Sequence, residues 1–273
     1  MPDQPSLTLN DGNTIPQFGL GVFQTPPDET AQVVRAALAA GYRAVDTAAA
    51  YRNERGVGEA VRETDDYVYV TTKLWNADHG YDEALAAFDK SLGRLGLERI
   101  DLYLIHWPAP KKDRYLDSWR ALVRIKEEGR VGSIGVSNFQ PEHLRRIIGE
   151  TGVTPTVNQI ELHPRFQQRE LRKLHVELGI VTESWSPLGR GALLQDPVLA
   201  DIGRKHGKTP AQVIIRWHLD EGLMVIPKSI RPERLAENIA VFDFRLDAED
   251  RARIAALDSP DGRIGPNPNT ADF

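Results

Sequence analysis

Four side chains that together suit the reduction of a carbonyl group follow three successive apolar runs in the first half of the chain. They are Asp46, Tyr51, Lys73 and His106. A carbonyl oxygen must accept a proton when hydride reaches its carbon, and a phenol with a pKa of about 10 is a weak acid at neutral pH. A neighbouring ammonium stabilises the phenolate, lowers that pKa and eases proton donation.

These residue types predict one proton donor and three supporting groups. We expect Tyr51 to donate the proton and Lys73 to lower its pKa. Asp46 would keep the ammonium charged and oriented, and His106 would hydrogen-bond the substrate oxygen. Each residue alone also fits an ordinary structural role, as a packing aromatic, a cap, a surface charge or a strand-end imidazole. Their joint placement at strand ends favours a site.

The elements that must position them alternate regularly along the chain. Apolar runs that predict strands are 19–23, 44–47, 67–74, 100–106, 133–136, 156–160, 180–185 and 224–227. Helical patterns between them are 28–40, 53–62, 81–95, 114–128, 141–150, 168–178, 210–220 and 232–240. This alternation favours a closed parallel (β/α)8 TIM barrel, in which active sites lie at the carboxyl ends of the strands.

Further segments complete the predicted α/β architecture. Residues 6–16 read as an N-terminal β-hairpin, because turn residues separate two alternating runs. Two extra helices are expected at 197–206 and 247–258, and a Pro- and Gly-rich loop at 262–273. With no visible linker, we expect one domain over residues 1–273.

Composition excludes several classes of function. The 273 residues carry a net charge of −5 and no cysteine, which argues against a nucleic-acid surface and excludes disulfides and thiolate chemistry. No apolar run reaches the ~18–20 residues of a membrane span. The start at Met1, Pro2 and Asp3 shows no secretory signal. We therefore expect a cytoplasmic monomer with no membrane partner.

Other site signatures are missing from the sequence. No Gly-x-Gly-x-x-Gly follows a strand, so a Rossmann cofactor site is unsupported. Residues 135–139 resemble a serine nucleophile elbow until Phe139, where glycine is needed. The seven histidines lack ligand spacing, so no metal is expected.

The chain resembles the aldo-keto reductase superfamily over nearly its whole length. Matching segments are 41–48 with Tyr51, Asn53, Glu54 and Gly58; 71–75; 102–108; 133–139; and 226–231 with Arg234, Glu237 and Asn238. The resemblance implies that the four residues above form a catalytic tetrad. Trp185, where many members have tyrosine, resembles the bacterial 2,5-diketo-D-gluconate reductase branch, as do Phe23, Ala49 and the stretch 157–164.

The resemblance also implies a nicotinamide cofactor site. Ser137, Asn138 and Gln159 would hold the carboxamide, and Trp185 would stack on the ring. The remaining implied cofactor residues are Gly21, Val22, Asp46, Ser186, Pro187, Leu188, Gly189, Ile230, Glu237 and Asn238. Glu237 and Asn238 would face the adenine, and the loop from Ser186 would follow the pyrophosphate.

The choice between NADPH and NADH depends on cations for the ribose phosphate. Lys228, Arg231 and Arg234 cluster at the start of a predicted helix, beside Ser229. Guanidinium groups match phosphate with forked donors, and a helix N-terminus favours an anion. We therefore predict NADPH as the cofactor.

The substrate is predicted to be a small carbonyl compound. Its expected contacts are Phe23, Ala49, Tyr51, Trp75, His106 and Trp107. Diketo-sugar acids, dicarbonyls and aromatic aldehydes all remain candidates, and Arg263 fits either an acidic substrate or solvent. Two alternatives stay open: an aldolase with a Schiff base on Lys73, and a protein that binds cofactor without turnover.

Overall fold

The structure, a computed structural model, describes residues 4–271 and residue 273. Met1, Pro2 and Asp3, on which the signal-peptide interpretation depends, lie outside the described residues, as does Asp272 of the C-terminal loop.

The described residues form a two-stranded hairpin and an eight-stranded parallel sheet. The hairpin consists of β1 (Ser6–Thr8) and β2 (Thr14–Pro16). The parallel strands are β3 (Leu20–Gly21), β4 (Ala44–Asp46), β5 (Tyr69–Leu74), β6 (Ile100–Ile105), β7 (Val131–Ser137), β8 (Val157–Glu161), β9 (Val181–Trp185) and β10 (Met224–Val225). They lie side by side in chain order, each parallel to the next. The predicted α/β barrel is confirmed.

Contacts between the first and last parallel strands close the sheet. Phe18 forms a parallel bridge with Val225, and the Gly19 amide donates to the Val225 carbonyl at 3.0 Å. Gly21 donates to the carbonyl of Pro227 at 3.3 Å. A Cβ on Gly21 would lie 2.8 Å from the Ile226 carbonyl oxygen, so this approach requires glycine.

Helices cover the outside of the sheet. They are α1 (Thr30–Ala40), α2 (Glu54–Arg62), α3 (Tyr81–Leu95), α4 (Tyr115–Glu127), α5 (Pro141–Thr151), α6 (Arg169–Leu178), α7 (Pro197–His206), α8 (Pro210–Asp220), α9 (Pro232–Ile239) and α10 (Ala248–Ala255). The two expected extra helices are α7 and α10, and α10 is shorter than the predicted segment at both ends. None of the helices in the described residues is long and apolar enough to cross a membrane.

The hairpin covers the amino-terminal end of the barrel. Leu9 and Ile15 pack with barrel residues that include Leu102, Val157 and Met224 in one buried apolar cluster. Apolar burial of this kind stabilises a fold by about 25 cal/mol per Å². With that end filled, the carboxyl ends of the strands form the open mouth of the barrel.

Candidate active site

A cleft of about 1260 Å³ opens at the carboxyl ends of the parallel strands. Most of the residues predicted from sequence line it together. They are Gly21, Phe23, Asp46, Ala49, Tyr51, Trp75, His106, Trp107, Ser137, Asn138, Gln159, Trp185, Ser186, Pro187, Leu188, Lys228, Ser229, Ile230, Arg231 and Arg234. Aromatic, charged and amide side chains from all eight parallel strands and the loops that follow them therefore meet over one opening.

A buried ion pair joins β5 to β4 beneath this opening. Lys73 Nζ lies 2.6 Å from Asp46 Oδ1 and donates a second hydrogen bond to the Thr47 carbonyl at 2.8 Å. Gln159 Nε2 donates to the other Asp46 oxygen at 2.9 Å. Burial alone would lower the pKa of Lys73, but Asp46, with further help from Tyr51, outweighs it and raises that pKa. Lys73 is therefore a fixed cation.

Tyr51 lies beside this cation. It ends the short 3₁₀ helix Ala49–Tyr51, and Lys73 Nζ lies 5.0 Å from the centre of its ring. Burial raises the pKa of Tyr51 to about 12, while Lys73 acts to lower it. Lys73 therefore acts on this pKa in the predicted direction, but desolvation of the phenolate outweighs it and the net shift is upward. Tyr51 is protonated at neutral pH.

His106 completes the group as a neutral imidazole. Burial, with the Lys73 ammonium nearby, holds the pKa of His106 well below its usual value. Its ring meets those of Tyr51 and Trp75 edge-on, with centroids 5.5 and 5.3 Å apart. A neutral imidazole can donate a hydrogen bond to a carbonyl oxygen without competing as an acid.

Amide and hydroxyl groups fix one wall of the cleft. Asn138 Nδ2 donates to the His106 carbonyl and to Ser137 Oγ, both at 3.0 Å. Trp185 Nε1 donates to Asn138 Oδ1 at 2.8 Å, which holds the indole beside the amides. Asn138 has φ of 65°, a left-handed conformation that asparagine tolerates. This wall offers a flat ring next to several hydrogen-bonding groups.

The far end of the cleft is cationic. Lys228, Arg231 and Arg234 line it, and none of them forms an ion pair within the part of the chain that the structure describes. The Arg231 amide donates to Ser229 Oγ at 3.1 Å, just before α9 begins at Pro232. Unpaired cations at a helix N-terminus are an arrangement that can bind a phosphate group.

Some predicted residues do not line the cleft. Lys73, Val22 and Gly189 are all buried and do not line it. The Glu237 carboxylate accepts a hydrogen bond from Thr209 Oγ at 2.8 Å, and Asn238 is buried. A role for Glu237 and Asn238 toward adenine stays a prediction.

Aromatic rings form the side of the cleft that is predicted to take the substrate. Phe23 lies 5.1 Å from Tyr51 and Trp107 lies 6.5 Å from Trp185, centroid to centroid. The sequence interpretation missed Phe273, whose ring stacks on Trp75 at 5.8 Å and meets Trp107 edge-on at 5.2 Å. Other lining residues that it missed are Gln24, Ala50, Arg52, Arg55, Asp78, Arg94, Arg190, Gly191, Leu194, Ile226 and Pro266.

Glu161, at the end of β8, holds the C-terminal segment against the cleft. Its carboxylate accepts hydrogen bonds from the amides of Ile264 at 2.6 Å and Gly265 at 2.9 Å. A Cβ on Gly265 would overlap the Trp185 ring, so the chain passes directly against the indole. Arg263 lies 4.6 Å over the Phe166 ring and does not line the cleft.

The geometry argues against the Schiff-base alternative. A Schiff-base lysine must be neutral and within reach of a substrate carbonyl. Lys73 has no exposed surface, and its pKa is raised by its contact with Asp46. Tyr51, and not Lys73, meets the cleft.

Comparison with known proteins gives one consistent result. Residues 16–259 match the Aldo/keto reductase family. An aldo-keto reductase of Mycolicibacterium smegmatis is 56% identical over 272 residues, which is 98% of each chain. The methylglyoxal reductase DkgA of Escherichia coli is 50% identical over 268 residues, 96% of each chain. A mutant of Gox0644 in complex with NADPH has a TM-score of 0.97 at 55% identity, covering 99% of this chain and 100% of that one.

Proposed function

The chain belongs to the aldo/keto reductase family, and we propose that it reduces a small aldehyde or ketone to the alcohol with NADPH. The observation that carries this proposal is the meeting of a protonated phenol and a neutral imidazole at one opening, with a buried ammonium beneath them. Members of the family are oxidoreductases, so the coarser activity follows from membership. The proposal assigns roles in this activity to individual side chains.

Tyr51 is the proton donor in this account. The cofactor, when bound, supplies the hydride to the carbonyl carbon. The Tyr51 hydroxyl passes its proton to the carbonyl oxygen and becomes a phenolate, which the Lys73 ammonium stabilises. Asp46 keeps Lys73 in place, and His106 orients the carbonyl oxygen by a hydrogen bond.

The described residues fit a dinucleotide with a ribose phosphate. Ser137, Asn138 and Gln159 would hold the carboxamide, and the half-buried Trp185 would cover the nicotinamide. Lys228, Arg231 and Arg234 would bind the phosphate that distinguishes NADPH from NADH, since no carboxylate within the described residues pairs with them. The loop 186–191 would follow the pyrophosphate, with Arg190 as an additional cation.

Aromatic walls favour a compact carbonyl compound as substrate. Phe23, Trp75, Trp107 and Phe273 provide apolar faces near Tyr51. The relative named methylglyoxal reductase makes a small dicarbonyl the first compound to test. Keto-sugar acids and aromatic aldehydes remain the other candidate classes.

The test is NADPH oxidation against a panel of dicarbonyls, keto-sugar acids and aromatic aldehydes, with NADH as the comparison. We expect turnover with at least one class and a clear preference for NADPH. A protein that binds NADPH but reduces nothing on the panel would contradict the proposal and favour cofactor binding without turnover.

A further inference from the structure

Glu183 is a buried carboxyl group that the proposed chemistry does not use. It lies in the middle of β9, and its neighbour Thr182 contacts His175 of α6, on the outside of the barrel. Because side chains alternate along a strand, Glu183 points into the barrel. It has no exposed surface, and neither carboxyl oxygen has a hydrogen-bond partner in normal geometry among the described residues, although the Gln159 amide is near enough to lower its pKa.

The groups around Glu183 belong to the proposed reaction. Asp46 from β4 and Lys73 from β5 act on it electrostatically, and Gln159 from β8 is its partner in strand register. Glu183 also acts to raise the pKa values of Tyr69 on β5 and of Tyr51 on the 3₁₀ helix. The buried Tyr69 hydroxyl has no hydrogen-bond partner among the described residues. Met224, its register partner on β10, carries no charge. Glu183 thus lies within electrostatic reach of the residue that would donate the proton.

An isolated carboxylate is costly in such a place, so the group is held as the neutral acid. Burial and the Asp46 carboxylate together raise the pKa of Glu183 to about 8, against the opposing effects of Lys73 and Gln159. Burial also raises the pKa of Asp46, and the contact with Lys73 opposes that rise. With Asp46 and Lys73 ionised as a pair, the two buried charges balance. Ionisation of Glu183 would leave one negative charge in excess.

We propose that Glu183 is a positioning residue that acts through Tyr51: as a neutral acid it permits proton donation, and as a carboxylate it opposes it. This inference rests on the proposed function. Donation converts Tyr51 into a phenolate, and a second anion nearby raises the free energy of that state. Reduction should therefore slow as pH rises through the pKa of Glu183, although Tyr51, with a pKa of about 12, is still protonated there.

The experiment compares wild type with Glu183→Gln, which keeps the size of the side chain and cannot ionise. We expect similar kcat values at pH 7 with NADPH and methylglyoxal. Between pH 7 and pH 9.5, wild-type kcat should fall about tenfold and that of Glu183→Gln less than about threefold. Ser184→Ala, on the same strand, should keep the wild-type profile. Superimposable profiles for wild type and Glu183→Gln would overturn the inference.

An infrared titration tests the same residue without activity and without a variant that must fold. The wild-type protein should show the carbonyl band of a buried carboxylic acid at pH 7, and that band should disappear around pH 8. Glu183→Gln should lack it. A spectrum without a titrating band in this range would overturn the inference even if the protein reduces carbonyls. Failure of wild type on every carbonyl would instead contradict the proposed function.

Discussion

Lys73 Nζ and Asp46 Oδ1 lie 2.6 Å apart, and both side chains are removed from solvent. Breaking a buried pair by removing one partner leaves an uncompensated charge, which costs about 3 to 5 kcal/mol. The same ammonium is the cation nearest to the Tyr51 ring. The Lys73–Asp46 contact therefore contributes to the stability of the fold, and it also fixes the ammonium that would stabilise the Tyr51 phenolate.

Replacing Lys73 by Met separates these two roles. We expect kcat to fall by at least about a hundredfold, because the Tyr51 phenolate loses its cation. The free energy of unfolding, measured with urea, should also fall. Adding Asp46→Asn should recover part of the stability and none of the activity. A Lys73→Met enzyme with near-normal kcat would contradict the role of the ammonium.

Arg234 tests the choice of cofactor. Arg234→Ala should raise the KM for NADPH by about tenfold or more and leave the KM for NADH unchanged, because a cation–phosphate contact exists only with NADPH. Arg251, an exposed arginine on α10, provides the matched control. Equal effects on both cofactors would contradict the phosphate assignment.

Gly265 tests the contact between the C-terminal segment and the indole. A Cβ there would overlap the Trp185 ring and lie 2.8 Å from Glu161 Oε2, so Gly265→Ala must displace one of them. We expect weaker NADPH binding, measured by fluorescence quenching, and a raised KM for the carbonyl substrate. Gly93→Ala is the control, since open space surrounds that position on α3. Unchanged binding and KM would show that the segment does not position the ring.

The buried imidazole of His175 makes the free energy of unfolding depend on pH. Burial lowers its pKa to about 3, and it is held by Asn158 at 2.9 Å and Thr182 at 2.9 Å. The unfolded histidine binds a proton below about pH 6.5 and the folded one does not, so stability is complete above that pH and is lost on acidification. At pH 5 this residue lowers the free energy of unfolding by about 2 kcal/mol.

Urea unfolding at pH 7 and at pH 5 measures this effect. The free energy of unfolding should change less between the two pH values for His175→Gln than for wild type. Equal differences would contradict the assignment.

The strand ends that carry the site were predictable because a parallel barrel directs them all to one face. Asp46 and His106 could be placed from the apolar runs that precede them. The 3₁₀ helix that turns Tyr51 toward Lys73 has no such signal, although the spacing from Asp46 identified the residue.

Other features depend on contacts between distant parts of the chain. Phe273 meets Trp75 and Trp107 through a C-terminal segment whose path no local pattern specifies. The raised pKa of Tyr51 depends on how fully the barrel excludes water, which residue types alone do not determine. The run 180–185 predicts an apolar strand, and the burial of Glu183 beside Asp46 and Lys73 without a well-formed hydrogen bond follows only from the closed barrel.

The most direct test of the central claim is the rate of NADPH oxidation by Tyr51→Phe beside wild type, with methylglyoxal and with the best compound of the panel. Fluorescence quenching by NADPH shows that the variant still binds cofactor. We expect normal NADPH binding and a kcat at least about a thousandfold lower, because the ring remains and the proton donor is lost. A Tyr51→Phe enzyme that turns over within tenfold of wild type would contradict proton donation by Tyr51.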